Sequence, residues 1–357
     1  MTREGGPQVL DETIRFSFPD PERDLAAVRL NQDLVRPRNG PEFVLLPGTQ
    51  GWVLHFPRLD VGRMEYKLEL VHHDRGSEWV CDPWNDRRVG SAFGDKSVIE
   101  LRGYRAPEWL GYDGPRGSIE AFELRSRAVR AHVAGSLWTS PGASSSDVLP
   151  MLVVHDGPEY DRLSALTTFL DHCVVARRLP AMRAALIAPP ADRNETYSAS
   201  AGYARALAHE VLPKLTESVP TAHGRGMRVG MGASLGGLAM LHVHRFYPAT
   251  FGGLFLQSGS FFRQRFDKQE SGFPRFRRIA RFVGQVLRAG EAPHPIPVTM
   301  TCGTVEENLA NNLAIRDALV HQGYDVSFVK NRDAHNYTAW RDTFDTHLVD
   351  LLAKAWG

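Results

Sequence analysis

Residues 226–241 read GMRVGMGASLGGLAML. Half of these sixteen residues are glycine, alanine or serine, and one hydroxyl, Ser234, stands between Gly232 and Gly236 in the pattern G-x-S-x-G. An apolar run precedes the serine and a run with helical spacing follows it, so the pattern falls on a strand-to-helix junction. A turn that sharp forces the serine into a strained conformation, and only tiny neighbours fit around it. The bareness exposes the hydroxyl, which is what a nucleophile needs. The competing reading is a glycine-rich turn that merely packs a helix on a strand.

The surroundings carry the same rhythm. VLPMLVVHDG (148–157), RAALIAPP (183–190), RVGMGAS (228–234), FGGLFLQSGS (251–260), IPVTMTCGT (296–304) and DVSFVKNRDAH (325–335) are short apolar runs ending in small or polar residues. Each reads as a buried parallel strand. Between them, residues 200–219, 235–248 and 308–323 have helical spacing with Gly or Pro near their ends. The expected fold class is α/β: an open, mostly parallel sheet with helices on both faces, its reactive groups beyond the carboxyl ends of the strands. SIEAFELRSRAVRAHVAGSLW (118–138) is expected to supply the first strands of that sheet.

A serine hydroxyl needs a base to take its proton, and the base needs an acid to hold its tautomer. Both are expected after the serine, in the order serine, acid, histidine, on loops that follow strands. His335 stands after the last predicted strand and before the last helix, where the base belongs. Glu306 and Glu307 follow the strand before it. Glu306 is the expected acid, because Glu307 lies nearer a helix start, where a carboxylate has its own dipole reason to exist. Asp333, two residues before His335, is a rival. The backbone N–H of Leu235, directly after the serine, is one expected oxyanion donor.

Toward the N-terminus the periodicity changes from helical to two. In RMEYKLEL (63–70) Met64, Tyr66, Leu68 and Leu70 alternate with Glu65, Lys67 and Glu69, and GWVLHF (51–56) repeats the alternation. Such strands bury one face and wet the other. A small β-sandwich over residues 1–112, followed by an α/β domain over 113–357, is the expected organisation.

The chain has 357 residues, 43% hydrophobic content and a formal net charge of +1, which exclude disorder and give no bulk electrostatic pull toward nucleic acid or an anionic membrane. Three separated cysteines, Cys81, Cys173 and Cys302, form no paired framework and no metal-ligand spacing. With no signal-like or membrane-spanning apolar run, a cytoplasmic location is expected. No metal and no cofactor is expected.

VVHDGPEY (153–160), RNETY (193–197), HEVLP (209–213), GASLGG (232–237), QSGS (257–260), GTVEENL (303–309) and AHNYTAWRD (334–342) together resemble the enterochelin (enterobactin) esterase family, the esterase D-like branch of the α/β-hydrolases. The resemblance covers most of residues 150–350, and EYKLELVHHDRGSEWVCDPWN (65–85) resembles the early-set, glycogen-binding-like sandwich that precedes the hydrolase domain there. It implies an α/β-hydrolase fold with Ser234 as nucleophile, His335 as base and the Glu306 position as acid. In HDGPEY the residue after the Asp-Gly pair is Pro158, which has no N–H, so Gly157 is assigned by elimination as the second oxyanion donor. Asp156, Arg193, Glu195 and Glu210 are expected to brace loops rather than react.

The expected activity is therefore a serine esterase working through an acyl-enzyme. The resemblance implies a catecholate siderophore trilactone, ferric or iron-free, as its small-molecule substrate. A carbohydrate-ester (feruloyl or acetyl) hydrolase or an acyltransferase is the alternative within the same chemistry, and a non-catalytic glucan-binding scaffold the alternative outside it. A monomer or homodimer is expected. Residues 260–288, SFFRQRFDKQESGFPRFRRIARFVGQVLR, hold eight Lys and Arg against two acidic residues, interleaved with six phenylalanines. One reading is an amphipathic helix with a solvated basic face. The other is that Arg263 and Arg265, nearest the preceding strand, bind an anionic aromatic substrate.

Overall fold

The computed structural model describes residues 5–38, 40–222 and 224–356. Two compact units emerge from it: Met1–Arg105 with Gly303–Glu306 and Arg332–Asn336, and Ala106–Cys302 with Glu307–Asn331 and Tyr337–Gly357.

The first unit is a β-sandwich. One antiparallel sheet has the order Gly6–Val9, Thr13–Pro19, Gly51–Pro57, Val44–Leu45, and the other the order Leu25–Gln32, Arg63–His72, Lys96–Glu100, Arg88–Val89, with Ser77–Val80 also on Arg63–His72. Phe16, Trp52, Met64, Tyr66 and Leu68 fill the core, with Phe16 edge-on to Tyr66 at 5.1 Å. The alternation in 63–70 holds on that side, since Met64, Tyr66, Leu68 and Leu70 are all buried.

Its opposite face departs from the simple alternation. Arg63 and Glu65 are buried too, because residues Arg332–Asn336 lie over them. The Arg63 guanidinium meets Glu65 at 2.9 Å and Asp333 at 3.2 Å, while the Gly62 N–H donates to the Arg332 carbonyl at 2.6 Å. Ala334 belongs to the sandwich core, and Val305 packs against it. Gly303 is glycine for a steric reason: a Cβ there would stand 2.2 Å from the Asp333 carbonyl oxygen. The two loops expected to carry the acid and the base are thus built into the sandwich unit.

A buried cation shared by two carboxylates is costly to remove, because both anions lose their counter-charge out of water. Arg63→Met is expected to lower unfolding stability by about 3–5 kcal/mol at pH 8. Burial pushes the Asp333 carboxyl up to about 6 against the pull of Arg63, so the loss is expected to be smaller at pH 5, where that carboxyl has taken its proton. Urea titrations at the two pH values check this; a loss independent of pH would show that Asp333 is not the partner that matters.

The second unit is built on an eight-stranded sheet of order Ser118–Ser126, Ala131–Thr139, Arg183–Ile187, Met151–His155, Arg228–Ala233, Gly253–Gln257, Pro297–Gly303, Asp325–Asn331. The first two strands are antiparallel, and from Arg183–Ile187 to Pro297–Gly303 the pairing is parallel. Alternate residues of Met151–His155 feed two different cores. Met151 and Val153 pack with Leu238, Leu241, Ile279 and Ile315, whereas Leu152 and Val154 pack with Phe169, Leu170, Phe344 and Leu352. Burial on both faces is why these strands read as continuous apolar runs. This is the expected α/β-hydrolase fold with an N-terminal β-sandwich.

In 260–288 the helix is shorter than the amphipathic reading would have it. It covers Phe276–Arg288 only, burying Phe276, Ile279, Phe282, Val283 and Val286. Gly272 and Pro274 interrupt the pattern before it, so residues 260–275 run as a loop of successive turns with one short 3-10 segment at Lys268–Glu270.

Candidate active site

Ser234 joins the strand Arg228–Ala233 to the helix Leu235–Phe246 with φ 55° and ψ −122°. That conformation is unfavourable for any residue with a Cβ and persists only where the surroundings enforce it. Here they do. The Ser234 N–H donates to the Gln257 carbonyl at 2.9 Å, and its own carbonyl accepts from Leu238 N–H at 3.1 Å and Ser260 N–H at 3.1 Å. Gly232 must lack a side chain, because a Cβ would stand 2.6 Å from the Gly236 backbone. The Ser234 hydroxyl, half-buried, lies 3.0 Å from the Ser260 hydroxyl. This strained strand-to-helix turn holds the serine hydroxyl clear of its own backbone.

Beneath the turn lies His155, fully buried. Its Nδ1 is 3.0 Å from the Gly236 carbonyl, its Nε2 is 2.7 Å from the Tyr203 hydroxyl, and its ring stacks on Tyr197 at 4.5 Å. A carbonyl only accepts, so Nδ1 carries the proton and the tyrosine donates to Nε2. Burial drops the His155 pKa from 6.5 to about 4, and desolvation does the same to His242. A histidine kept neutral in the fold but protonated in the unfolded chain leaves stability untouched above about pH 6.5 and brings a loss of stability as the pH falls toward 4. For His155 it amounts to about 3 kcal/mol. Imidazole proton NMR is expected to show no titration of His155 above pH 5; a midpoint near 6.5 would contradict the buried geometry.

Asp156, with φ 53°, begins the helix Gly157–Ser164 and holds a two-pronged ion pair with Arg193, at 2.9 and 2.6 Å. Glu195 pairs with Arg275 and, at 2.7 Å, with Arg278. Glu210 accepts from the Ser126 hydroxyl at 2.6 Å and from the Arg127 and Ala128 N–H groups at 2.8 and 3.1 Å. All three acids are spent on holding backbone and arginines. Gly157 and Leu235 are each the first residue of their helices, where an N–H has no intrahelical acceptor and points outward.

Within the sandwich unit His335 and Glu306 are brought together. The Glu306 carboxylate accepts the Gly303 N–H at 2.7 Å through Oε1 and faces His335 Nδ1 at 2.7 Å through Oε2. A carboxylate in this setting only accepts, so Nδ1 is protonated and Nε2 is the basic nitrogen of the ring. Glu307 is exposed in the other unit, and Asp333 turns to Arg63, Asn336 and the Ala334 N–H. The sheet end thus carries a strained serine, and the sandwich-held loops carry an oriented imidazole.

A family model for esterases matches residues 139–351. The chain belongs to the esterase family. Its curated relatives include the iron(III) enterobactin esterase of Dickeya dadantii (strain 3937), 27% identical over 203 residues, which are 54% of this chain and 45% of that protein. The iron(III) enterobactin esterase of Escherichia coli (strain K12) is 23% identical over 278 residues, 76% of this chain and 67% of that one. The chain therefore spans between about half and two thirds of the length of these relatives. Among solved structures, the enterobactin esterase of Shigella flexneri crystallised in the presence of enterobactin superposes with a TM-score of 0.76 at 18% identity, covering 99% of this chain and 96% of that one. A ferulic acid esterase superposes with a TM-score of 0.58 at 15% identity, covering 68% of this chain and 100% of that one. Both likenesses concern the fold.

The chain is an esterase by family. Among its described residues, no helix is long and apolar enough to cross a membrane. Arg265 is exposed, whereas Arg263 is half-buried over the Phe266 ring at 4.1 Å with its Nε on Asn311 at 2.5 Å. Two contributors escaped the sequence reading. Ser260 was visible only as the last residue of QSGS, with nothing in that tetrapeptide to aim its hydroxyl at Ser234. Arg63 was one more charged residue on a wet-looking face.

Proposed function

We propose that this esterase hydrolyses esters through an acyl-enzyme on Ser234, with His335 as base and Glu306 as its orienting acid. The observation that carries the reading is the Ser234 backbone at φ 55°, ψ −122° between strand and helix. In the first half-reaction the Ser234 oxygen attacks the ester carbonyl and its proton passes to His335 Nε2. The Leu235 and Gly157 N–H groups take the oxyanion, and the tetrahedral intermediate collapses as the leaving alkoxide receives the proton from His335. Water then repeats the sequence on the acyl-serine, releasing the acid. The Glu306 carboxylate keeps Nδ1 protonated throughout and stabilises the imidazolium.

For the substrate, a catecholate siderophore ester is the proposal. Its supports are the enterobactin esterase relatives and the basic, phenylalanine-rich loop at 260–275. A guanidinium pairs with catecholate oxygens and stacks on the ring, and a ferric tricatecholate presents both features with a large negative charge. Neutralising Arg263 and Arg265 together is expected to raise KM for ferric catecholate esters about tenfold while leaving neutral p-nitrophenyl esters within about twofold. Added salt is expected to weaken only the charged substrate. Equal effects on both substrates would make the loop structural and favour a neutral ester, such as a feruloyl or acetyl sugar.

A further inference from the structure

Arg228 opens the strand that ends at Ser234, so it lies about 20 Å away, at the opposite end of the sheet. Its carbonyl accepts the Gly252 N–H at 2.8 Å, but its side chain does nothing comparable. Nε is buried and has no hydrogen-bond acceptor among the described residues. Burial lowers the pKa of this guanidinium, and no carboxylate among the described residues offsets it. Other arginines are treated differently: Arg63 has Glu65 and Asp333, the half-buried Arg193 has Asp156, and Arg183, whose Nε likewise lacks a partner, gives its terminal nitrogens to the carbonyls of Ser144, Ser145, Asp147 and Pro220.

The side chain lines a cavity of about 420 Å³ whose wall also includes His209, Phe246, Tyr247 and His294. His209 stands edge-on to Tyr247, with ring centroids 4.7 Å apart, and Phe246 is half exposed. The cavity therefore has one uncompensated cation, two imidazoles from separate elements, and an aromatic side. A partly desolvated charge without a counter-ion weakens the fold and is tolerated where something else supplies the opposite charge.

We propose that this cavity binds a small organic anion, its carboxylate or phosphate head on Arg228 and its flat apolar body against the His209–Tyr247 wall. The guanidinium offers a planar fork of donors suited to either head group. The site is separate from Ser234 and does not depend on the catalytic reading above.

The test is to titrate the esterase with benzoate, phenyl phosphate, inorganic phosphate and benzamide while following the imidazole resonances of His209 and His294, assigned from His209→Gln and His294→Gln. Benzoate or phenyl phosphate is expected to shift both, whereas benzamide, of the same shape without the charge, leaves them unmoved. Arg228→Met is expected to weaken the response at least tenfold, to keep p-nitrophenyl ester turnover, and to melt at the same temperature as the parent or higher. Benzamide binding as well as benzoate, or a response that survives Arg228→Met, would overturn the anion site. A clear drop in melting temperature for Arg228→Met would overturn it as well, by making the arginine structural. Inorganic phosphate binding as tightly as phenyl phosphate would remove the aromatic wall from the proposal.

Discussion

Ser234→Ala is expected to fold as the parent does and to lose ester turnover by about six orders of magnitude, the scale on which removing a triad nucleophile acts. The fold should survive because the hydroxyl's contact with Ser260 at 3.0 Å is a single side-chain bond, while the turn is held by backbone bonds to Gln257, Leu238 and Ser260 that alanine keeps. Alanine also shares the serine's need for a strained φ, so no relief of strain complicates the comparison. Two measurements on one preparation check it: turnover of a p-nitrophenyl ester, and labelling by a fluorophosphonate probe, which needs an activated serine. Turnover at a tenth of the parent would assign the nucleophile elsewhere. An unlabelled parent would support a non-catalytic scaffold.

The second large effect separates two adjacent carboxylates. Glu306→Gln is expected to lower kcat about ten-thousandfold, because the amide fails to fix the tautomer and to stabilise the imidazolium. Glu307→Gln, on an exposed side chain, is expected to stay near the parent. Since Glu306 also accepts the Gly303 N–H at 2.7 Å, the variant's melting temperature belongs beside its kinetics. A glutamine oxygen still accepts that N–H, so stability should fall little while kcat collapses. If Glu307→Gln is the damaging change and Glu306→Gln the mild one, the imidazole takes its orientation from a different acid during turnover.

The contrast between these neighbours shows where sequence reading stops. That one of them follows a sheet strand, ahead of a histidine that follows the next, was legible from apolar runs and helical spacing. Which of them turns to the imidazole is a matter of two consecutive side chains on one loop, and the preference for Glu306 rested on where a helix would begin. The structure puts Oε2 of Glu306 2.7 Å from Nδ1 and leaves Glu307 exposed, with the helix starting at Leu309. In the same way, the charges of 260–288 were legible as a surplus, but not that Arg275 and Arg278 are tied to Glu195, about eighty residues earlier in the chain.

By itself the sequence determined the features that short-range physics controls. Two-residue alternation marked the sandwich strands, runs buried on both faces marked the parallel sheet, and the crowding of Gly232 and Gly236 around one serine marked the strained turn. Each follows from sterics and periodicity within a few residues. Only the tertiary structure decided what depends on groups far apart in the chain. Arg63 meets Asp333 across 270 positions, so Glu65, written as a solvent-facing residue, is buried. Burial in a dry core keeps His155 neutral, and Gly236 and Tyr203, 81 and 48 positions away, claim its two nitrogens and fix which one carries the proton. Such pairings carry no local signature, since any charged or polar residue type looks the same in sequence whether it faces water or a partner, and burial alone distinguishes them.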